Sequence, residues 1–187
     1  MKKVILASLL LLLTSGYAMA AKYKIDPTHT YPNFTISHLG FSTMHGHFAK
    51  TKGSMEYDAA SGTGSVNVTI DASSIYTGFK KRDDHLRSPD FFNAVEFPEI
   101  TFKSTSAKLS GGSGTVDGKL TIMGITKDVT LNVAKIHCGK HPFNKKITEV
   151  CGFDATAKVK RTDFGMKYGI PAIGDDVTIM LEVEATR

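Results

Sequence analysis

The chain has 187 residues, of which 41% are hydrophobic and 22% are charged, and its formal net charge is +5. Without Lys2 and Lys3, which lie in a candidate signal peptide, the charge is +3, and the other lysines are spread along the chain. Because nucleic-acid binding usually needs a concentrated basic surface, this distribution argues against a nucleic-acid partner. The length suits one domain with a substantial core.

Residues 1–20 have the pattern of a cleavable signal peptide. Two lysines precede an apolar run over residues 4–13, and Ala18-Met19-Ala20 forms a small-x-small cleavage motif. The run is too short for a membrane-spanning helix, and no second run follows it, so we predict a protein that does not span the membrane. We expect cleavage after Ala20, one mature domain over residues 21–187, and a periplasmic location.

The mature region is dominated by apolar and polar residues that alternate with a period of two, which is typical of strands with one buried face. The clear segments are 66–70, 129–133, 153–159 and 177–183, and the weaker ones are 22–25, 33–37, 47–57, 100–106 and 115–123. Glycine-rich turns separate several of them. We interpret the pattern as an all-β fold, an eight-stranded antiparallel barrel. It leaves open whether the barrel is filled or hollow.

The segment between residues 73 and 97 breaks the strand pattern. Asp83 and Arg87 would form an i,i+4 pair on a helix, and Pro89 favours a helix end at Ser88. We predict a short helix over one end of the barrel, with one side that carries an arginine and a histidine beside apolar groups. The residues on that side are Phe79, Arg82, His85 and Leu86.

Cys138 and Cys151 are the two cysteines, and a turn-forming segment, residues 141–145, lies midway between them. If a hairpin folds there, the cysteines face each other on neighbouring strands at a spacing that a disulfide tolerates. Oxidising conditions outside the cytoplasm favour this bond, so we predict a disulfide that stabilises by about 2–3 kcal/mol. The alternative is a metal site formed by His137, Cys138 and His141.

Six motifs spread over the mature region together resemble the YceI-like family. They are Tyr23-x-Ile25-Asp26-Pro27-x-His29, Phe34-x-Ile36-x-His38-Leu39-Gly40, Arg82-Asp83-x-His85-Leu86-Arg87-Ser88-x-Asp90-Phe91-Phe92, Phe97-Pro98-x-Ile100-x-Phe102-x-Ser104-Thr105, Gly118-x-Leu120-Thr121-Ile122-x-Gly124-Ile125-Thr126-Lys127-x-Val129 and Arg161-x-Asp163-Phe164-Gly165-Met166. The resemblance implies a lipocalin-like barrel with a long apolar cavity that binds polyisoprenoid or other long-chain lipids in the periplasm. The cysteine hairpin is not a hallmark of that family.

The resemblance leads us to predict two groups of ligand-binding residues. The cavity group is Phe34, Ile36, Phe91, Phe92, Phe97, Phe102, Met123 and Phe164, and the polar head-group set is Arg82, His85, Arg161 and Asp163. A buried methylene contributes about 0.8 kcal/mol, so a tail of roughly 20 carbons can outweigh the cost of association, about 4–15 kcal/mol. Arginine can bond a carboxylate or phosphate, and histidine a phenol or carbonyl. The alternative is that these residues only pack the core or hold the helix.

We expect a lipid-binding protein that sequesters or transports a long-chain isoprenoid or fatty-chain amphiphile, quinone-like ligands included. The sequence has no nucleophile elbow, zinc-protease helix or nucleotide-binding fingerprint, so we predict no catalytic residue, metal or cofactor. Two alternatives stay open: a metal-dependent periplasmic enzyme that uses His38, His45 and His47, and a filled barrel that acts as a protein-interaction module. A homodimer is also left open.

Overall fold

The structure, a computed structural model, describes residues 20–187. The predicted signal peptide therefore lies outside the described residues except for Ala20. Within the described part, no helix has the length and apolar character needed to cross a membrane. The strands are β1 Ala21–Ile25, β2 Tyr31–His38, β3 Ser42–Phe48, β4 Thr51–Asp58, β5 Thr63–Asp71, β6 Ile75–Tyr76, β7 Glu99–Ser110, β8 Ser113–Ile122, β9 Ile125–Gly139, β10 Val150–Lys160 and β11 Ile173–Thr186, and the helix is α1 Lys80–Leu86.

The strands form a closed antiparallel barrel of eight, which confirms the predicted fold. Strands β4, β5, β7, β8, β9, β10 and β11 each pair with the next, and β1 closes the ring by pairing with both β4 and β11. Strand β2 follows β1 and pairs with the same edge of β11. Its other edge pairs with β3, and β4 follows β3 in the chain. The chain therefore runs up and down around the ring, with β1–β2 and β3–β4 as two long bent strands.

Both bends have local causes. Between β1 and β2, the Asp26 carboxylate accepts a hydrogen bond of 2.8 Å from the backbone N–H of Thr28, and its other oxygen lies 3.0 Å from His29 Nδ1. Such side-chain bonds to the following backbone are typical turn formers. Between β3 and β4, Ala49 and Lys50 interrupt the strand that the sequence predicts over residues 47–57. That segment is two strands.

One end of the barrel is closed by a compact core. Ile25 and Ala185 are almost fully buried there, and the phenol of Tyr23 donates a 2.6 Å hydrogen bond to Glu149. Burial, followed by this bond, raises the pKa of Tyr23 to about 12. Cys138 and Cys151 are opposed in register on β9 and β10 and form a disulfide, as predicted. The bonded sulfur leaves no thiolate for the alternative metal site.

Helix α1 lies at the other, open end, where the sequence predicts it. The helix ends before Pro89, but the expected Asp83–Arg87 pair is wrong. Asp83 is buried and accepts a hydrogen bond of 2.9 Å from the backbone N–H of Thr77. This N–H lies in the turn before the helix, and a buried backbone N–H needs an acceptor. Arg87 instead pairs with Asp84 at 2.9 Å and bonds the backbone oxygens of Ser73 and Ile75.

Candidate ligand-binding cavity

A cavity of about 580 Å³ occupies the open end of the barrel. Its wall consists mainly of inward-facing apolar residues from the strands that end or begin there, such as Ile70, Leu120, Ile122, Val177 and Ile179. Helix α1 and the 3-10 turn Arg161–Phe164 contribute the residues at the rim. The volume lies within the range of small-molecule sites, roughly 300–1,000 Å³. The barrel is therefore hollow at this end.

Five of the predicted cavity residues line this space. Phe34 and Ile36 project from β2, and the Phe34 ring fits because Gly46 on β3 has no side chain: a Cβ there would lie 2.4 Å from the ring. Gly46 thus belongs to a strand, not to the turn that its type suggests. The remaining three come from the connecting segments at the open end. The five are Phe34, Ile36, Phe91, Phe92 and Phe164.

The other three predicted cavity residues lie elsewhere. Phe102 lies one inward position beyond Ile100 on the same strand, and its ring fills the space above Gly118 in the packed core that continues from the cavity wall. Phe97 packs on the turn at Gly124, outside the strand wall. Met123 has a positive φ in that same turn and packs against the edge of the core. None of the three lines the cavity.

Arg82 reaches the cavity from α1 and is held by Thr77. Its Nε donates to Thr77 Oγ1 and its Nη2 donates to the Thr77 backbone oxygen, both at 2.7 Å. Both acceptors are neutral, and the Nη1 group has no hydrogen-bond partner among the described residues. A half-buried guanidinium fixed by two bonds is well placed to donate its remaining N–H groups into the cavity.

His85 contributes an aromatic surface at the rim. Its ring lies edge-on to Phe91 at 5.1 Å and to Tyr168 at 5.0 Å between ring centroids. Its Nε2 lies 2.8 Å from the Asp90 carboxylate. Since that nitrogen is occupied and the ring is packed on both neighbours, Nδ1 is the atom left for a ligand.

Arg161 is buried beside the cavity, with only 3% of its surface exposed. Three backbone oxygens accept from its guanidinium: Nε donates to Gly174 at 2.8 Å, and Nη1 and Nη2 donate to Met166 and Ile173 at 3.1 Å. Burial lowers the pKa of Arg161, while the Asp175 carboxylate opposes that shift. Its guanidinium carbon lies 5.9 Å from the centre of the Phe91 ring, within reach of a cation–π contact.

A bulge in β11 creates this arrangement. Residues 174–176 lie opposite the single residue Ser37 of β2, so the strand bends outward at the open end. The bend turns backbone oxygens toward Arg161 and lets Asp175 accept from Thr162. Asp163, the fourth predicted polar residue, is exposed and lies outside the cavity lining, on the outer surface near Lys160.

The three histidines of the alternative metal site are not gathered. His38 and His45 line the cavity, whereas the ring of His47 packs against the rings of Tyr31 and Tyr76. Over residues 20–187, no group of three His, Cys, Asp or Glu side chains could hold a metal ion.

Several residues that line the cavity are not among those predicted from the sequence. Strand alternation already pointed Val177 and Ile179 inward, so these could have been included. Lys81, Tyr168 and Met166 carry no such signal, because they follow from how the connecting segments fold over the rim.

The model of the YceI-like domain matches residues 23–185. The chain belongs to the YceI-like family. YceI proteins from Salmonella arizonae and Salmonella heidelberg are each 38% identical to it, over all of this chain and 99% of theirs. The match spans the cavity, the helix and the disulfide hairpin together.

Several solved structures share the fold of this chain. BcnA from Burkholderia cenocepacia has a TM-score of 0.74 and 27% identity, over 87% of this chain and 99% of that one. The YceI protein of Campylobacter jejuni has a TM-score of 0.67 and 32% identity, over 81% and 89%. A polyisoprenoid binding domain from Saccharophagus degradans, implicated in plant cell wall breakdown, has a TM-score of 0.66 over 90% and 98%; at 17% identity it shows the fold alone.

Proposed function

We propose that this protein binds a long-chain isoprenoid or fatty-chain amphiphile, with the tail in the cavity and the head group near α1. The observation that carries this proposal is the hollow, largely apolar space at the open end, with its charged groups at the rim. An apolar cavity of this kind favours a ligand that removes its surface from water. The family membership and the polyisoprenoid binding of a structural relative support the same ligand class.

The proposal is for binding and carriage, not catalysis. Thr77 bonds Arg82, Asp90 bonds His85, and backbone oxygens bond Arg161, so these three polar side chains are held in place. Among residues 20–187, no hydroxyl or thiol of the cavity lining is hydrogen-bonded to a histidine, the arrangement that activates a nucleophile. We further propose that the protein acts in the periplasm, on the basis of the signal-peptide pattern of residues 1–20.

A pair of substitutions on β11 tests the cavity. Ile179 faces the cavity and its neighbour Thr178 faces outward, so Ile179→Trp should fill the space and Thr178→Trp should not. The chain has no tryptophan of its own, so either variant also carries a single tryptophan, whose selectively excited fluorescence reports its environment. Lipid content is measured by mass spectrometry of the organic extract after purification from a native periplasm without detergent.

We expect near-stoichiometric long-chain lipid in the wild type and in Thr178→Trp, and at least a tenfold loss in Ile179→Trp. Circular dichroism establishes that both variants are folded. Equal lipid in the two variants would show that the lipid is bound elsewhere. An empty extract from folded wild-type protein would favour the interaction-module alternative.

A further inference from the structure

The charged groups that line the cavity are all of one sign. Lys81, Arg82 and Arg161 contribute to the wall, and none of the lining residues of the described chain is an aspartate or a glutamate. The remaining titratable side chains of the wall are three histidines and Tyr168. A site with this composition has a positive potential, which low-dielectric walls strengthen.

The cationic side chains of helix α1 and of Arg87, which follows it, point in two directions. Lys80 and Arg87 point away from the cavity and both pair with Asp84, at 2.6 and 2.9 Å. Lys81 and Arg82 line the cavity and have no carboxylate within 4.0 Å among residues 20–187. The two outward cations therefore share one carboxylate, whereas neither inward cation has a carboxylate within 4.0 Å among residues 20–187.

The nearby acids are engaged with other groups. Asp83 accepts from the Thr77 backbone N–H, Asp90 lies against His85 Nε2, and Asp175 accepts from Thr162. None of them lines the cavity. Asp83 is connected to Arg82 through the Thr77 hydroxyl, which donates to the Asp83 carboxylate and accepts from Arg82 Nε, but no carboxylate of the described residues pairs directly with an inward-facing cation.

Arg161 repeats this pattern at greater depth. All three of its bonds go to neutral backbone oxygens, and the nearest opposite charge, Asp175, acts on it from a distance while it accepts hydrogen bonds from Thr162. A buried cation that makes no direct ion pair is costly, and an anion that enters beside it gains more than it would in water. Two of the five N–H groups of Arg161 are left after these bonds.

From these observations we propose that the ligand carries a negatively charged head group, a carboxylate or a phosphate, which is recognised by Lys81, Arg82 and Arg161. This inference rests on the proposed function, because it specifies the head of the lipid whose tail occupies the cavity. An alcohol, amide or quinone head would leave the positive charge of the wall unmatched.

Chain-matched ligands test the sign of the head group. Hexadecanoic acid, hexadecyl phosphate and hexadecanol have the same tail, and each can be titrated calorimetrically into delipidated protein from a cyclodextrin, at mildly alkaline pH and fixed salt. We expect at least one of the two anions to bind at least tenfold more tightly than the alcohol. The tighter of the two anions identifies the head as carboxylate or phosphate.

The helix provides its own control for this test. Arg82→Gln and Lys81→Gln should each weaken anion binding about tenfold and should weaken hexadecanol binding by a clearly smaller factor, because only the anion loses a charge partner. Lys80→Gln, which removes an adjacent but outward and paired cation, should change neither affinity.

Two failures can be told apart. If hexadecanol binds as tightly as both anions, or if Lys80→Gln weakens anion binding as much as Arg82→Gln, the charge recognition is wrong but lipid binding stands. If none of the three ligands binds to folded protein, the proposed function itself is wrong. A Thr77→Val variant adds a further check, because it loosens Arg82 while keeping its charge and should weaken anion binding by a smaller factor.

Discussion

The closed and open ends of this barrel are made from the same strands, yet one is a packed core and the other a cavity. Strand β11 spans both: Val183 and Ala185 are 8% and 0% exposed at the closed end, whereas Val177 and Ile179 line the cavity. The four residues share the same alternation along one strand. The alternating pattern therefore predicts which face is inside, but not whether that inside is filled.

The difference arises from how the strands converge. At the closed end, β1 fits between β4 and β11, and the disulfide joins β9 to β10. At the open end, the three-residue bulge of β11 bends that strand outward opposite β2, and helix α1 lies over the mouth without filling it. Whether the interior of the barrel is packed therefore depends on the spacing between strands. A bulge changes that spacing but leaves the alternation of side chains along the strand unaltered.

The largest expected difference in stability is between two isoleucine variants on the long bent strand β1–β2. Ile25→Ala should lower the free energy of unfolding by about 3 kcal/mol, because it opens a hole in packed surroundings. Ile36→Ala should cost about 1 kcal/mol, because this side chain already faces a cavity. Chemical denaturation measures both. Equal losses would mean that the two ends are packed alike.

The disulfide should stabilise the fold without taking part in binding. Replacing Cys138 and Cys151 together by alanine should lower the free energy of unfolding by about 2–3 kcal/mol, because the bond closes a short loop. Lipid affinity should stay unchanged, since the cavity lies at the other end. Wild-type protein treated with a reductant serves as a control. A parallel loss of affinity would show that the two ends are coupled.

The smallest effect concerns the turn between β1 and β2 and depends on pH. Burial alone would raise the pKa of Asp26, but hydrogen bonds from His29 and Thr28 lower it from 3.8 to about 2. Because the folded protein favours the ionised carboxylate, its contribution is complete above about pH 4 and is lost as the pH falls toward 2. Asp26→Asn should therefore cost about 1 kcal/mol at neutral pH and almost nothing near pH 2. A cost that does not vary with pH would contradict this assignment.

Part of the site could be predicted from the sequence because it depends on local pattern. Period-two alternation indicated the strands, and the break in that pattern indicated the helix that carries Arg82. Phe34 and Phe102 show where the pattern stops being informative. Both are inward-facing aromatic residues, but only Phe34 meets open space, since depth along the barrel depends on the convergence of distant strands.

The partners of polar groups were equally hard to predict. Helical spacing placed Asp83 and Arg87 next to each other on one side of the helix. Asp83 instead accepts a hydrogen bond from the backbone N–H of Thr77, because the turn before the helix folds back onto it. Arg161 depends on backbone oxygens up to 13 residues away, brought to it by the bulge of β11. Such contacts follow from tertiary geometry and have no signal in residue type.

The position of β11 has a consequence for how the chain folds. Strands β1 and β2 lie along one of its edges and β10 along the other, so it is the strand that seals the ring. During synthesis it is made after all its partners, and until then the growing sheet has two unsatisfied edges that can recruit other chains. Mutations that delay the docking of β11 should therefore promote aggregation more than their cost to the folded state suggests.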